Sequence, residues 1–291
     1  MKTKEIHIRD PFVLPWEGKY YLYGTRGATC WGKADGFDVY SSADLENWEG
    51  PVEIFHNDGR FWADREYWAP EVHRYRGAFY LLASFHSADR RRGTQILRAD
   101  RPEGPFAPIS GGPVTPPEWE CLDGTLYLSG EGRPYLVFCH EWLQVGDGEM
   151  CAMELTGDLT APAGKPWVLF RASQAPWARP VDGRPGCFVT DGPWMHRCPD
   201  GRLMMLWSSG GAEGYAQGAA FSSNGEITGT WSIPDTPIFA KDGGHGMIFR
   251  GFDGRLRLVL HSPNETPRER PLFLPVARGG SACWPEGTTE E

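Results

Sequence analysis

Strand-length runs of apolar and aromatic residues alternate along the chain with short turns that contain glycine. Only two stretches of more than twelve residues lack both Gly and Pro, 37–49 and 78–92, which leaves little room for long amphipathic helices. Asp-Gly or Glu-Gly between two apolar runs is a strong signal for a β-hairpin. The pattern therefore predicts an all-β protein built from hairpins.

One hairpin unit recurs five times along the sequence. Each copy begins at a small or acidic residue, continues as an apolar strand, turns at a glycine and returns as a second apolar strand. The five first strands begin at residues that are 61, 52, 68 and 54 positions apart, namely Asp10, Glu71, Asp123, Asp191 and His245. This spacing is typical of four-stranded blades with long loops. The sequence thus predicts a five-bladed β-propeller, formed as a single domain by residues 1–291.

Apolar segments outside the hairpins supply candidates for the outer strands. They lie at residues 38–42, 95–98, 151–155 and 218–223, and residues 272–274 can complete the fifth blade. If every first strand begins at the same face of the central channel, the five starting residues converge there. The second strands end at that face and bring further polar and aromatic residues to it, namely Arg26, His86, Glu141, Trp142 and Ser208. The sequence predicts a polar pocket at this face.

The composition is acidic. The chain has 29 Lys and Arg against 38 Asp and Glu, a net charge of −9, which argues against nucleic acid or an anionic membrane as the main partner and favours an uncharged substrate. No apolar segment typical of a signal peptide or a membrane span is found. The seven cysteines are scattered and form no C-x-x-C pair. These features predict a cytoplasmic protein with reduced thiols, and they give no indication of its oligomeric state.

Several carboxyl groups in one pocket suit acid–base chemistry on a neutral substrate, because like charges raise one pKa and leave another group ionised. Glycoside hydrolysis uses such a pair. One carboxylic acid protonates the leaving oxygen, and the other acts as a base on water at roughly 6.5–9.5 Å or as a nucleophile at about 5–5.5 Å. The sequence leaves both spacings open, and it also leaves open that Asp and Gly at strand starts only form turns.

Other residues at the predicted pocket are candidates for binding substrate. Indole rings can stack on a sugar, and five lie in or beside the pocket loops: Trp31, Trp62, Trp68, Trp142 and Trp194. Glu71, His86, Ser208 and His245 are further candidates, and Arg26 is either a sugar ligand or the partner of a carboxylate. The basic segment 89–92 is interpreted as a solvated turn. A hard cation such as calcium, held by oxygen atoms and water, is a candidate near His245.

Six short motifs occur in a fixed order along the blades. They are RDPFV at 9–13, SSADLENWE at 41–49, WAPEV at 68–72, LDGTLY at 122–127, TDGPWMH at 190–196 and GGHG at 243–246. In this order they make the chain, over about residues 5–276, resemble glycoside hydrolase family 43, a family of five-bladed propellers. The resemblance implies inverting hydrolysis of oligosaccharides. It implies an activity of the β-xylosidase, α-L-arabinofuranosidase, arabinanase or galactosidase type. Of these we expect the release of a terminal sugar of the β-xylose, α-L-arabinofuranose or β-galactose type.

The same resemblance implies roles for individual residues. Asp10 in RDPFV matches the general base, and Asp123 in LDGTLY matches the Asp that orients the acid and tunes its pKa. His245 in GGHG matches a histidine near the channel centre that is associated with calcium or its waters. The family has Glu before Gly-Pro in the fourth blade, where this chain has Asp191, which is one methylene shorter. Asp191 and Glu141 are therefore both candidates for the general acid.

Two alternative functions remain open at the level of sequence. One is a retaining fructan hydrolase or a glycoside phosphorylase on a related propeller, which the anomeric configuration of the product and phosphate dependence would identify. The other is a non-catalytic sugar-binding propeller, for which Asp in place of Glu at position 191 would be a sign of lost catalysis.

Overall fold

Nineteen β-strands form five sheets around a central channel in the computed structural model, which describes residues 1–276. The prediction of an all-β, five-bladed propeller is confirmed. Residues 277–291 of the predicted domain lie outside the described residues.

The strands of each blade are antiparallel and follow one another in chain order from the channel outwards. Blade 1 contains β1 (Ile8–Trp16), β2 (Lys19–Arg26), β3 (Gly36–Ser42) and β4 (Glu49–His56). Blade 2 contains β5 (Arg65–Tyr75), β6 (Ala78–His86), β7 (Gly93–Ala99) and β8 (Ala107–Pro108). Blade 3 contains β9 (Cys121–Leu128), β10 (Pro134–His140), β11 (Glu149–Glu154) and β12 (Trp167–Arg171).

The last two blades complete the circle. Blade 4 contains β13 (Asp191–Arg197), β14 (Leu203–Gly211), β15 (Gly214–Ser222) and β16 (Trp231–Ser232). Blade 5 has three strands among the described residues, β17 (Gly244–Arg250), β18 (Leu256–Ser262) and β19 (Arg270–Pro275). The predicted outer strands thus correspond to β3, β7, β11, β15 and β19.

Helical structure is limited to short segments. The α-helix α1 covers Trp142–Val145, and two 3-10 turns cover Thr3–Glu5 and Ala172–Gln174. No helix in residues 1–276 is long and apolar enough to cross a membrane.

The hairpin turns follow from local backbone preferences. Glu17 and Gly18 connect β1 to β2 with φ angles of 46° and 81°, and Arg76 and Gly77 connect β5 to β6 with φ angles of 48° and 84°. Two consecutive positive φ values define the two-residue turn whose twist matches that of the flanking strands. Glycine at the second position adopts this conformation without steric cost, which explains why a glycine marks each turn in the sequence.

The apolar core lies between the faces of neighbouring blades. Phe37 of blade 1 packs against Phe85 of blade 2, with ring centroids 5.7 Å apart. Phe170 of blade 3 packs against Trp207 of blade 4 at 5.2 Å, and the Trp207 side chain is fully buried. Large aromatic rings suit this arrangement because each buries a large apolar area between two twisted sheets. The aromatic content of the sequence is therefore used mainly to join blades.

The cysteines depart in one place from the expectation of reduced thiols. Cys30, Cys121, Cys139, Cys151 and Cys187 are free thiols. Cys198, at the end of the first strand of blade 4, is disulfide-bonded.

Candidate active site

Besides Glu66 in β5, which has a φ of 50°, the first strand of each blade has one residue in the left-handed backbone region at an equivalent position near its start. These residues are Asp10, Ala69, Asp123, Gly192 and His245, with φ between 47° and 57°. Non-glycine residues rarely adopt this conformation, so the surrounding structure must stabilise it. In four blades the backbone N–H of this residue donates to a side chain on the second strand of the preceding blade. The four donor–acceptor pairs are Asp10–His261, Ala69–Thr25, Asp123–Ser84 and His245–Ser208. The repeat therefore has a fixed bend at the channel face.

This bend corrects the predicted starting residues in two blades. In blade 2 the bend residue is Ala69 and not Glu71, which lies two residues further along the strand. In blade 4 it is Gly192, so Asp191 lies one residue before the bend. A shift of one residue changes the face of a strand to which a side chain points. The sequence repeat alone does not give the positions to this accuracy.

A cavity of about 690 Å³ opens at this end of the channel, and all five blades contribute to its walls. Eight of the predicted residues line it: Asp10, Trp31, Trp68, Asp123, Glu141, Trp142, Asp191 and His245. The structure therefore brings together every candidate catalytic residue and three of the five candidate indoles.

Three carboxyl groups lie around His245 and Tyr215. His245 Nδ1 is 3.2 Å from Asp10 Oδ1 and 3.7 Å from Asp123 Oδ2. Asp123 Oδ2 also accepts the Gly192 N–H at 3.1 Å. The Tyr215 hydroxyl donates to Asp191 Oδ2 at 2.9 Å. Asp10 and Asp123 thus have fixed partners on other blades, whereas Asp191 has its partner, Tyr215, on the third strand of its own blade.

The environment separates the pKa values of these carboxyl groups. Burial alone would raise the pKa of Asp10, but neighbouring groups outweigh burial, so the pKa lies below the ordinary value. The groups that lower it are, in order, His245, His261, Arg9 and the Thr25 hydroxyl. Burial, followed by the nearby Asp123 charge, raises the pKa of Asp191 to about 7. At neutral pH this arrangement favours an ionised Asp10 beside a carboxyl group that still holds a proton.

The protonation of Asp123 is coupled to that of Asp191. Burial first, and the charge of Asp10 second, raise its pKa well above the ordinary value. Two interacting buried carboxyl groups titrate as a pair. Burial and the coupling between Asp123 and Asp191 therefore favour a proton held between these two carboxyl groups.

Glu141 has a different environment. Arg92 Nη1 donates to Glu141 Oε2 at 2.5 Å, and Arg92 Nη2 donates to Glu66 Oε2. Burial raises the pKa of Glu141 although Arg92 acts in the opposite direction. Glu141 is thus held in an ion pair on the cavity wall.

Six of the candidate substrate-binding residues do not line the cavity, and each has another structural role. Trp62 donates its Nε1–H to Gln95 Oε1, and the Arg90 guanidinium covers its ring. Arg26 pairs with Asp38, Asp35 and Glu53. Glu71 pairs with His73 at 2.8 Å, deeper in the channel. Trp194 packs against Phe12 and His73. His86 lies 2.9 Å from Glu66 Oε2, and Ser208 accepts the backbone N–H of His245.

Other residues of the cavity wall are not among those predicted from the sequence. They include Arg9, Glu66, Arg92, Tyr215, Asn264 and Thr266. The sequence does indicate a place at the site for Arg9, because Arg9 directly precedes Asp10 in the RDPFV motif. Arg92 was assigned to a solvated turn, but its side chain is only 6% exposed, since it lies between two carboxylates. Tyr215 and Asn264 carry no local motif that marks them as site residues. Pairing of the strands within blade 4 brings Tyr215 to Asp191, and closure between the first and last blades brings Asn264 to Arg9.

The predicted calcium site at His245 lacks a protein cage. Within residues 1–276, no group of three or more His, Cys, Asp or Glu side chains is arranged to hold a metal ion. Calcium prefers six to eight oxygen ligands, whereas the His245 Nδ1 atom faces two carboxylates as an ion-pair partner. The residues present do not fit a protein-built calcium site, so the mechanism below uses no metal.

A cavity with an ionised carboxylate, a protonated carboxyl group and exposed indole rings is typical of enzymes that cleave glycosidic bonds. A family model described as Glycosyl hydrolases family 43 matches residues 4–275. The chain therefore belongs to glycosyl hydrolase family 43, whose members are inverting glycoside hydrolases.

Solved and curated relatives support this assignment. The crystal structure of an endo-arabinase from Bacteroides thetaiotaomicron VPI-5482 has a TM-score of 0.89 and 38% sequence identity, over 97% of this chain and 98% of that chain. The extracellular exo-alpha-(1->5)-L-arabinofuranosidase ArbA of Cellvibrio japonicus is 23% identical over 55% of this chain and 47% of its own length. The extracellular endo-alpha-(1->5)-L-arabinanase 1 of Bacillus subtilis is 23% identical over 55% of this chain and 52% of its own length. The chain spans about half the length of the two curated relatives that it matches.

Proposed function

We propose that this protein is an inverting glycoside hydrolase that releases terminal α-L-arabinofuranose from oligosaccharides. The observation that carries the proposal is the pairing, in one cavity, of Asp10 with a lowered pKa and Asp191 with a pKa raised to about 7. An ionised base and a protonated acid at the same pH are what inverting hydrolysis requires.

In the proposed mechanism, Asp10 removes a proton from the attacking water while the acid protonates the leaving oxygen. The Thr25 hydroxyl donates to Asp10 Oδ2 at 2.6 Å, which leaves Oδ1, the atom nearest His245, to orient towards the water. Asp191 protonates the glycosidic oxygen, and its pKa is raised first by burial and second by the neighbouring Asp123. His245 stabilises the relative positions of Asp10 and Asp123.

Asp191 is the better candidate for the general acid than Glu141. A general acid must carry a proton near neutral pH and be able to release it. The pKa of Asp191 is raised to about 7, and its hydrogen-bond partner is the neutral Tyr215 hydroxyl. Burial also raises the pKa of Glu141, but Glu141 is held by the charged Arg92, which opposes that rise and occupies one of its oxygen atoms.

The substrate assignment rests on the relatives of the chain. The solved and curated relatives described above are named for activity on arabinan or arabinofuranosides. Release of a terminal sugar is the activity in the name of the Cellvibrio japonicus relative, whereas the Bacteroides thetaiotaomicron and Bacillus subtilis relatives are named for internal cleavage, so the length of the products decides between the two. β-Xylose and β-galactose stay as untested predictions.

The experiment that tests the function uses nitrophenyl α-L-arabinofuranoside, the β-xyloside and the β-galactoside, followed by α-1,5-arabino-oligosaccharides. We expect turnover of the arabinofuranoside with inverted product, seen by NMR as the β-anomer, and arabinose as the first product from the oligosaccharides. Asp10→Asn should reduce kcat/KM by roughly 10²- to 10⁴-fold because the base is lost. Asp253→Asn, on the exposed turn of blade 5, is the matched control and should retain activity.

Each other outcome has a defined meaning. Retained configuration or dependence on phosphate would support the fructan hydrolase or phosphorylase alternative. Products of intermediate length would contradict terminal release, and absence of turnover together with sugar binding would support a non-catalytic propeller. Loss of activity on calcium chelation, restored by calcium, would support the separate expectation of calcium near His245.

The choice of acid can be tested with the same substrates. Nitrophenolate leaves without protonation, so loss of the acid affects oligosaccharides far more than nitrophenyl glycosides. Asp191→Asn should therefore show this difference, and Glu141→Gln should affect both substrates to a similar extent. The reverse result would assign the acid to Glu141.

A further inference from the structure

Three side chains form a charged wall of the cavity beside the proposed catalytic carboxyl groups. Glu66 lies at the start of blade 2, Arg92 directly precedes β7, and Glu141 directly precedes α1. Arg92 donates through one nitrogen to Glu66 and through the other to Glu141. We name this group the Glu66–Arg92–Glu141 clamp.

The clamp has more hydrogen-bond acceptors than its own donors use. Both glutamates give only their Oε2 atoms to partners, and within the part of the chain that the structure describes neither Oε1 atom accepts a hydrogen bond. One guanidinium serves two carboxylates, and its Nε atom is buried without a partner. A structural ion pair in a closed core would be expected to satisfy these atoms.

The clamp is also built rigidly. The Trp68 ring covers the Arg92 guanidinium at 4.1 Å, and the Trp68 Nε1 atom donates to the Cys30 carbonyl oxygen at 2.5 Å. His86 holds the Oε2 atom of Glu66 from the side away from the cavity at 2.9 Å. The free carboxylate oxygens are therefore held in place before any substrate arrives, which reduces the entropy cost of binding.

Resting on the proposed function, we infer that the Glu66–Arg92–Glu141 clamp binds two hydroxyl groups of the sugar in the cavity through the two Oε1 atoms. Sugar hydroxyls donate to carboxylates in charge-assisted hydrogen bonds, which are stronger than neutral ones. The clamp selects neutral sugars with both hydroxyls free. It rejects rings in which a hydroxyl is missing or esterified, and its net negative charge rejects rings that carry a carboxylate.

The test pairs enzyme variants with substrate analogues. Wild type, Glu66→Gln and Glu141→Gln are compared on nitrophenyl α-L-arabinofuranoside and its 2-deoxy, 3-deoxy and 5-deoxy analogues. In the wild type, removal of a hydroxyl that the clamp binds should reduce kcat/KM roughly 10- to 150-fold, the range for a hydrogen bond to a charged group. In the matching variant the same removal should cost less than about threefold, because the acceptor is already weakened.

Controls separate binding from folding. Both variants keep the side-chain shape, and their melting temperatures show whether the fold is retained. Glu131→Gln is the matched control, since Glu131 also pairs with an arginine at 2.5 Å but on an exposed hairpin turn, and it should show the full wild-type penalty for each deoxy analogue. Equal penalties in the wild type and both clamp variants would overturn the inference and leave the clamp a structural ion-pair group.

A binding arm keeps this inference distinct from the proposed function. Calorimetry measures binding of L-arabinose, D-xylose, D-galactose and D-galacturonate to the wild type and to Glu66→Gln. If the wild type cleaves no arabinofuranoside, the proposed function fails. Weaker binding of the preferred neutral sugar to the variant would still support the clamp, whereas binding unchanged by the substitution would contradict it.

Discussion

At the residue scale, different neighbouring groups give the carboxyl groups of the site different pKa values. Asp10 is surrounded by groups that lower its pKa, whereas Asp191 is buried next to another carboxyl group and has its pKa raised to about 7. Asp191 is also shorter than the Glu expected from the family pattern. The Tyr215 hydroxyl, on β15 of the same blade, holds the Asp191 carboxyl in place at 2.9 Å.

Tyr215→Phe tests this positioning role. The Tyr215 hydroxyl lowers the pKa of Asp191, so its removal should raise that pKa further above about 7. The high-pH limb of the kcat/KM profile should then move to higher pH by up to about one unit, the value of a typical hydrogen bond. The profile is measured on arabino-oligosaccharides, for which protonation of the leaving group is required. A high-pH limb that stays in place or moves down would contradict an acid positioned by Tyr215.

At the scale of the single element, the bend in the first strand of each blade positions the side chains of the site. The bend residue turns its N–H towards a side chain of the preceding blade, so neighbouring blades position each other's functional groups. Thr25 shows this coupling most clearly. Its Oγ1 atom accepts the Ala69 N–H at 2.7 Å and donates to Asp10 at 2.6 Å.

Thr25→Val removes both hydrogen bonds while keeping the shape of the side chain. The buried Ala69 N–H would lose its partner, which should reduce the free energy of unfolding by about 1–3 kcal/mol. The pKa of Asp10 should rise, because the Thr25 hydroxyl lowers it, and the low-pH limb of the kcat/KM profile should move to higher pH.

Thr25→Ser is the matched control for this prediction, because it keeps the hydroxyl. It should retain the wild-type pH profile. If valine and serine give the same profile, the hydroxyl does not tune the base.

At the scale of the whole molecule, the propeller closes through side chains between its first and last blades. Strand β1 packs against the strands of blade 5, and Arg9 Nη1 pairs with Glu269 Oε1 at 2.5 Å. The Glu269 side chain is only 2% exposed. The same Arg9 lines the cavity, so this ion pair links the contacts that close the propeller to the wall of the site.

Glu269→Gln tests the closure. Removal of one partner of a buried ion pair typically costs about 3–5 kcal/mol, so the melting temperature should fall at neutral pH. Burial alone would raise the pKa of Glu269, but hydrogen bonds from Thr266, its own backbone and Arg9 lower it below the ordinary value of 4.5. A lowered pKa means that this stabilisation is present above about pH 4.5 and is lost as the pH falls through the folded-state pKa.

The difference in melting temperature between wild type and Glu269→Gln should therefore shrink at acid pH. Glu265→Gln is the control, because Glu265 forms an exposed ion pair with Arg268 at 2.7 Å and such pairs contribute little. A constant difference from pH 7 to pH 3 would show that the charge of Glu269 does not stabilise the closure.

The sequence by itself determined the hairpin repeat, the number of blades and the three aspartates Asp10, Asp123 and Asp191. These features depend on local physics: alternating apolar runs, glycine turns and a repeated strand start are properties of contiguous residues. The family motifs are contiguous too, which is why they pointed to the correct family.

Only the tertiary structure decided which other side chains reach the cavity. Arg26 and Trp194 were expected there, but an ion-pair network holds one and aromatic packing holds the other. Glu66 and Arg92 line the cavity wall, although the sequence around them does not indicate a place in the cavity. Whether a side chain lines the channel depends on strand register and on contacts between blades distant in sequence, and a shift of one residue reverses the outcome.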